Sequence, residues 1–355
     1  MVVTVMENKK LLAIIYATLA AAFYAISTPL SKLLIGQVSP TIMASFLYLG
    51  AGIGVGVMYV FHWKNEKKSE RLTKNDLKYT IGMIVLDIIA PIFLMLGIKY
   101  GNASNASLLG NFEIVATTMI ALLIFNEKVS NKLWAAIGFI TLSSIILSLD
   151  SVQGFRFSYG SLFVLLATLC WGLENNCTRS ISEKSTYEIV TLKGIGSGMG
   201  AFIVSYIIGE KLPETKYLFL VMLLGFVSYG LSIFTYIRAQ KYLGAAKTSA
   251  YYAIAPFIGT AIAFIFLGEQ ITWKYIIALL IMIVGTAFVV TDTIIKSHTH
   301  IHNHVITHTH DGNTHTHTIE HCHKHRHIGD EQNHNHKVMT DYINSKEHYM
   351  DHLNL

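Results

Sequence analysis

Three carboxylates lie inside long apolar stretches of the sequence, where an ionisable side chain is unusual. They are Asp87, Glu113 and Glu174. A charge at the centre of a bilayer costs about 2.5–3.5 kcal/mol on insertion scales, so each carboxylate is a candidate for ligand binding or proton transfer. Glu113 could contact a substrate amine or carry a proton. Alternatively, it could pair with a lysine or tyrosine of another helix or assist helix packing.

The other two carboxylates also allow two interpretations. Asp87 precedes Pro91 by one helical turn. Proline kinks a helix and frees backbone carbonyls that can bind a ligand, but Asp87 could equally form only local hydrogen bonds. Glu174 and Asn175 belong to a polar run that continues with Asn176. This run forms either a cavity wall or a turn close to water at the cytoplasmic interface.

Aromatic side chains form a second group of candidate binding residues, because a tyrosine or tryptophan offers a ring and a polar group to an amphipathic ligand. The candidates are Tyr24, Trp171, Tyr251 and Tyr252. Prolines follow three of these residues within one or two turns, which would bend the chain beside them.

Lys193 lies in an apolar run together with alternating glycines. The lysine could neutralise one of the acids, but we expect its long side chain to reach the cytoplasmic interface instead. The glycines, at positions 194, 196, 198 and 200, have the small-residue spacing that allows helices to pack closely.

The tail from His298 to Leu355 carries every one of the seventeen histidines except His62. Alternating residues of an extended strand point the same way, and imidazole is a common ligand of Zn, Ni, Cu and Co. The candidate metal ligands are His298, His300, His302, His304, His308, His310, His315, His317, His321, His323, His325 and His327. Because the tail lacks apolar periodicity, we expect it to be disordered without metal and to buffer or sense divalent metal.

Membrane helices must position all these residues. The chain of 355 residues is 52% hydrophobic and only 14% charged, whereas soluble domains carry about 25% charged residues. A helix needs roughly 20 residues to cross about 30 Å of hydrocarbon. We therefore predict an all-α integral membrane protein with ten spans. They cover residues 11–34, 41–61, 79–99, 104–125, 132–150, 159–180, 187–209, 216–238, 245–267 and 273–295.

A stretch of the sequence occurs twice, at Gly97–Ile137 and at Ala239–Leu279. The two copies align without a gap and share residues that apolar composition alone would not match: Lys99 with Lys241, Tyr100 with Tyr242, and Glu127 with Glu269. We interpret this as an internal repeat. The two glutamates lie in turns between apolar helices, where we expect each to cap the helix that follows it.

The repeat divides the chain into two five-helix halves, residues 11–150 and 159–295. A cytoplasmic N-terminus (1–10), a linker (151–158) and the histidine-rich tail (296–355) complete the chain. Because five is odd, the second half would enter the membrane from the opposite face, as in many secondary carriers. Basic residues concentrate at the N-terminus and in the even-numbered loops, so we expect both termini to be cytoplasmic.

The order of these features resembles the drug/metabolite transporter superfamily, EamA type. The resemblance covers residues 11–295 and rests on the paired turns FNEKVSNKLWAAIGF and LGEQITWKYIIALLI and on Leu-Cys-Trp-Gly followed by Arg179. The resemblance implies a carrier of small organic metabolites that works by alternating access. That family often has proline in the middle of the fourth and ninth spans. Here the ninth has Pro256 but the fourth has Ile114, so we expect the two halves to differ in backbone kink.

We therefore expect a secondary transporter that exports a small organic metabolite, such as an amino acid, across the cytoplasmic membrane. No cofactor is expected, nor a nucleic-acid partner, because the basic residues lie in short loops. The sequence contains no hydrolase or nucleotide motif, so an enzyme is not expected. The alternative is a divalent metal-ion transporter or a metal-responsive membrane sensor. The lack of histidine within the spans, apart from His62 at the edge of the second, argues against metal transport.

Overall fold

The structure is a computed structural model that describes residues 2–66, 68–125, 130–149, 158–243, 248, 251–310 and 313–328. The chain divides into two compact units, Met1–Thr293 and Ile294–Leu355. The first unit is built of helices and the second contains a pair of strands.

The helices of the first half precede residue 150. They are α1 (Val2–Ala25), α2 (Ser27–Leu34), α3 (Pro40–His62), α4 (Leu77–Tyr100), α5 (Ala103–Leu109), α6 (Phe112–Phe125) and α7 (Asn131–Ser148). Short 3₁₀ turns connect α3 to α4. The helices of the second half are α8 (Tyr159–Ser180), α9 (Thr186–Ile207), α10 (Thr215–Gly225), α11 (Ser232–Leu243), α12 (Ala255–Leu267) and α13 (Trp273–Ile294). A π-helical segment, Phe226–Leu231, joins α10 to α11.

Seven segments of the described chain are long and apolar enough to cross a membrane, against the ten predicted. They are Leu11–Leu34, Pro40–His62, Lys74–Tyr100, Asn131–Ser148, Thr186–Ile207, Thr215–Ala239 and Trp273–Asp292. The remaining predicted spans also contain helices, but α5, α6 and α12 are short. Helix α8 has 22 residues, and its polar run lowers its mean hydropathy.

Three of the apolar segments are interrupted within their length. Helix α1 ends before Ile26, Gly110–Asn111 separates α5 from α6, and a turn at Ala253–Ile254 precedes α12. The fourth segment thus breaks without a proline, and the difference in kink between the two halves stays a prediction. Glycine has low helix propensity, and an asparagine side chain competes for backbone hydrogen bonds, so this pair can interrupt a helix.

Helices of the two halves pack against each other in a reciprocal pattern. Helix α3 packs on α9, α4 packs on α8, and α1 packs on α11. The α3–α9 contact is so close that a Cβ atom on Gly194 would lie 2.3 Å from the Gly52 nitrogen. In the same contact, Ser45 Oγ donates to the Gly198 carbonyl at 2.7 Å. The prediction that the alternating glycines permit close packing is confirmed.

The second unit contains two antiparallel strands, β1 (Ile295–His310) and β2 (Asn313–Ile328). Their register pairs His298 with His325 and His308 with His315. This differs from the disorder expected for the tail. The physical reason is the alternation itself, since threonine, isoleucine and valine interspersed between histidines favour extended backbone. The expectation for residues 329–355 lies outside the described residues.

Candidate functional site

The helix interruptions surround a small cavity in the interior of the first unit. Its walls include Tyr24 and Thr28 at the α1–α2 break, Gly110 at the α5–α6 break, Trp171 of α8 and Pro256 of α12. The cavity measures about 20 Å³, and a single water needs roughly 10–15 Å³. The interior cavity therefore has room for about one water molecule.

A larger cavity of about 270 Å³ lies at the end of the bundle where α4 gives way to α5. Asn102, Asn105 and Lys274 contribute polar groups to its wall. Ala106 and Val164 line both this cavity and the interior one. The two cavities therefore adjoin at these two apolar side chains.

A charged cluster brings together helices α4, α8 and α9. Lys193 Nζ lies 3.0 Å from Asp87 Oδ2 and 2.9 Å from Glu174 Oε1, and all three side chains are buried. Thr178 also donates a short hydrogen bond to Glu174. The expectation that Lys193 reaches the interface is wrong, because pairing with two carboxylates compensates its desolvation. Glu174 is likewise buried rather than placed in water at the interface.

Glu113 lies in the first turn of α6, directly after the break in the helix. Its Oε1 accepts a 2.6 Å hydrogen bond from Asn175 Nδ2, which also lies 3.4 Å from Thr117 Oγ1. No ion pair involves Glu113 in the described part of the chain. Its partner is thus an amide from α8 rather than the lysine or tyrosine considered as an alternative. The N-terminal end of α6 favours the negative charge.

Five tyrosine rings form a continuous series through the interior. Centroid distances are 5.2 Å for Tyr48–Tyr229, 5.9 Å for Tyr229–Tyr24, 5.8 Å for Tyr24–Tyr252 and 5.1 Å for Tyr252–Tyr236. Tyr24 is also part of the wall of the interior cavity. The tyrosine series therefore extends from that wall through the interior of the bundle.

Several buried polar atoms around this region find no hydrogen-bond partner among the described residues. They include Ser27 Oγ, Asp87 Oδ1, Ser107 Oγ, Asn111 Nδ2 and Tyr229 Oη. Buried polar groups are normally satisfied by protein, water or ligand. The unpartnered atoms therefore mark a place that can accept a polar molecule.

The predicted binding residues fall into two sets. Tyr24 and Trp171 line the interior cavity, while Asp87, Glu113, Glu174 and Asn175 form the charged region beside it. Tyr252 joins the tyrosine series. Tyr251 is half-buried and takes part in none of the ring contacts found in the described residues.

Sequence reasoning missed Tyr48, Ser107 and Asn111. The sequence offered one signal for them, because Gly110-Asn111 interrupts an apolar run immediately before Glu113. Tyr48 and Ser107 carried no such signal, since single tyrosines and serines are common in membrane helices.

Glu269 has a capping role, but on a different helix from the one predicted. Its carboxylate accepts from the backbone nitrogens of Ala103 at 2.8 Å and Ser104 at 2.9 Å, at the start of α5. We expected it to cap the following helix, α13. The turn instead packs against the other half of the bundle, where α5 offers its free N–H groups. Glu127, the other copy, lies outside the described residues.

The metal prediction concerns residues whose side chains the structure does not describe, namely the twelve histidines of the tail. Among the side chains that are described, no group of three or more histidine, cysteine, aspartate or glutamate residues could hold a metal ion. The charged region of the bundle consists of the ammonium of Lys193 and the carboxylates of Asp87, Glu174 and Glu113.

Comparisons with known proteins agree with this architecture. A solved protein structure has a TM-score of 0.59 at 15% identity, covering 78% of this chain and 94% of its own. An uncharacterized transporter of Methanothermobacter thermautotrophicus is 24% identical over 75% of this chain and 82% of its own length. An uncharacterized transporter of Bacillus subtilis is 23% identical over 72% and 86%, respectively.

The family comparison covers both halves. The model of the EamA-like transporter family matches residues 11–149 and again residues 158–291, on either side of the predicted linker. The repeat, the apolar helices and the interrupted segments around a small interior cavity fit that assignment. The chain therefore belongs to the EamA-like transporter family, as a multi-pass membrane protein.

Proposed function

We propose that this protein is a secondary transporter that exports a small organic metabolite, such as an amino acid, across the cytoplasmic membrane. The observation that carries the proposal is the small cavity at which three apolar helical segments are interrupted. Discontinuous helices at mid-bundle are typical of carrier binding sites, because their free backbone groups can meet a substrate. The amino-acid substrate and the export direction follow the resemblance to the transporter superfamily.

The proposed membrane arrangement has ten spans in two inverted five-helix halves, with both termini in the cytoplasm. The reciprocal packing of α1 on α11 and α4 on α8 supports it, since each contact joins the first segment of one half to the third of the other. The basic residues of the N-terminus and the even-numbered loops support the cytoplasmic orientation.

Alternating access is supported by the two cavities. The outer cavity of about 270 Å³ ends at Ala106 and Val164, beyond which only about 20 Å³ remains. A substrate would enter or leave the interior cavity only after α5, which carries Ala106, and α8, which carries Val164, move apart. We propose that the substrate occupies the enlarged interior cavity, in contact with Tyr24, Trp171 and Tyr252.

The test is flux in proteoliposomes that contain the purified full-length chain. A panel of labelled neutral, cationic and anionic amino acids is loaded, and efflux is followed for the wild type and for Val164→Trp, which should block the passage between the cavities. Efflux of one solute class above empty vesicles, lost in Val164→Trp, is expected. Efflux equal to empty vesicles for every solute contradicts the proposal.

We further propose that the histidine-rich tail binds divalent metal and regulates the carrier. Support comes from the strand register, which pairs His298 with His325, His300 with His323 and His302 with His321. Positions two apart along an antiparallel pair share one face of the hairpin. Imidazole would supply Zn, Ni, Cu or Co ligands there.

Deleting residues 298–355 tests this assignment. The expected result is unchanged basal efflux together with loss of any response to added Zn²⁺ or Ni²⁺. Metal transport that persists in the deletion would instead favour the alternative of a divalent metal-ion transporter. A metal response without any flux would favour a metal-responsive sensor.

A further inference from the structure

The register of the hairpin places every histidine of its two described strands on one face. The histidines of β1 are all at even-numbered positions, those of β2 are all at odd-numbered positions, and each even position of β1 pairs with an odd position of β2. Successive residues of a strand alternate between its two faces, and paired residues share a face. A register shifted by one residue would divide the histidines between both faces. The concentration on one face is therefore a property of this register.

Opposite residues form successive rows along this histidine face. Three adjacent rows each hold two histidines: His298 with His325, His300 with His323, and His302 with His321. Opposite residues are about 4.5–5.5 Å apart at Cβ, and successive rows of one face are about 7 Å apart. Two adjacent rows therefore bring four histidines close together, which is the number of ligands in a tetrahedral zinc site.

Two isoleucines interrupt this series of rows. Ile319 lies opposite His304, and Ile306 lies opposite His317 in the next row. Each of these two rows thus holds one histidine instead of two. No pair of adjacent rows across this boundary supplies four histidines.

A second group of histidines lies beyond the isoleucines, next to residues 311 and 312, which link the strands. It contains the pair His308 and His315, with His310 and His317 from the neighbouring rows. The row of His308 is six residues from that of His302 along β1, a distance of about 20 Å. Two ligands of one zinc ion lie only about 4 Å apart, because each Zn–N bond measures about 2 Å. The two rows therefore belong to different metal sites.

Cys322 is on the opposite face of the hairpin. It lies between His321 and His323 in the sequence, so order along the chain alone would group the three as metal ligands. In the register, however, Cys322 pairs with Ile301, an odd-numbered position of β1. The pairing therefore excludes the thiol from the histidine face.

We propose that the histidine face holds two separate metal-binding sets and that Cys322 belongs to neither. The near set consists of His308, His310, His315 and His317, and the far set consists of the other eight histidines of the strands. Imidazole suits Co²⁺, Ni²⁺, Cu²⁺ and Zn²⁺. With roughly four ligands for each ion, the near set takes one ion and the far set takes two. The inference rests on the metal binding proposed above for the tail and divides it into sites.

Cobalt binding to the detergent-purified full-length chain tests the division. Bound Co²⁺ per chain is measured by equilibrium dialysis followed by metal analysis, with the chain lacking residues 298–355 as the baseline. The absorption spectrum of the same samples reports the ligands, because a cysteine ligand adds a thiolate-to-cobalt charge-transfer band. We expect Cys322→Ser to leave both the number of bound ions and the spectrum unchanged.

Three multiple variants locate the sets. Replacing the four near-set histidines by asparagine should remove about one ion per chain, and replacing the eight far-set histidines should remove about two. The control places asparagine at four threonines from the opposite face of the near-set segment, which also pair with each other: Thr307 with Thr316, and Thr309 with Thr314. This control should bind as many ions as the wild type.

Several outcomes overturn the division into sets. They are an unchanged number of ions in the near-set variant, loss of all tail-bound ions in that variant, an equal loss in the threonine control, and a thiolate band that disappears in Cys322→Ser. In each case the wild type still binds more cobalt than the chain lacking residues 298–355, so metal binding by the tail stands. Equal binding by these two chains would contradict both proposals. The transport proposal is judged separately, by efflux from vesicles.

Discussion

The ammonium of Lys193 lies 3.0 Å from a carboxylate oxygen of Asp87, with both side chains buried inside a bundle of apolar helices. The contact joins α9 to α4, and the second contact of Lys193, with Glu174, joins both to α8. Breaking a buried ion pair leaves an uncompensated charge, which is far more costly than the net value of the intact pair.

Replacement of Lys193 by methionine should therefore be strongly destabilising, by about 3–5 kcal/mol. The measurement is the free energy of unfolding in detergent. Adding Asp87→Asn and Glu174→Gln should recover most of that loss, because no unpaired charge remains. Lys216→Met is the control, since Lys216 pairs with Glu214 at an exposed site, and it should cause no measurable loss. Equal effects of the two lysine variants would contradict the ion-pair assignment.

The hydrogen bond from Asn175 to Glu113 should show energetic coupling. Asn175→Ala should cost about 1.5–3 kcal/mol in the wild type, as for hydrogen bonds to charged groups, and clearly less in a Glu113→Gln background. The measurement is a double-mutant cycle on unfolding free energies. Asn176→Ala is the control, because Asn176 donates at 2.8 Å to Gly172 of its own helix. It should show no coupling to Glu113.

Glu269→Ala should expose the first amides of α5. Loss of a helix cap costs about 0.5–2 kcal/mol, and the affected groups are the N–H groups of Ala103 and Ser104. Hydrogen–deuterium exchange of the peptide that contains them should accelerate. Glu214→Ala serves as the comparison, since Glu214 precedes α10 without a side-chain capping bond. Unchanged exchange at α5 would rule out the capping contact between the two halves.

Gly194→Ala should weaken the contact between α3 and α9. Its added Cβ would lie 2.3 Å from the Gly52 nitrogen, and overpacking of this kind costs about 1–3 kcal/mol. Gly138→Ala makes the same change in α7, where no atom lies within 4 Å of the new Cβ. There the better helix propensity of alanine should leave stability equal or raise it by up to about 1 kcal/mol. Thermal denaturation of the two variants distinguishes the sites.

Sequence alone determined the properties that depend on local composition and on order along the chain. Apolar runs predicted helical membrane segments, and Lys99, Tyr100 and Glu127 with their later copies revealed the repeat that the family comparison also finds. The candidate acids were recognisable because a carboxylate within an apolar run is expensive. The alternating glycines of α9 likewise predicted a close helix contact.

Only the tertiary structure decided which of these residues meet. Lys193 and Asp87 are far apart in sequence, and the choice between snorkelling and pairing depended on the packing of α9 against α4. The helix capped by Glu269 was likewise set by a contact between halves. Interior distances arise from helix packing, which balances desolvation against pairing over the whole bundle. Local sequence patterns do not contain this information. The charged residues could therefore be identified from the sequence, but their partners depend on how the helices pack.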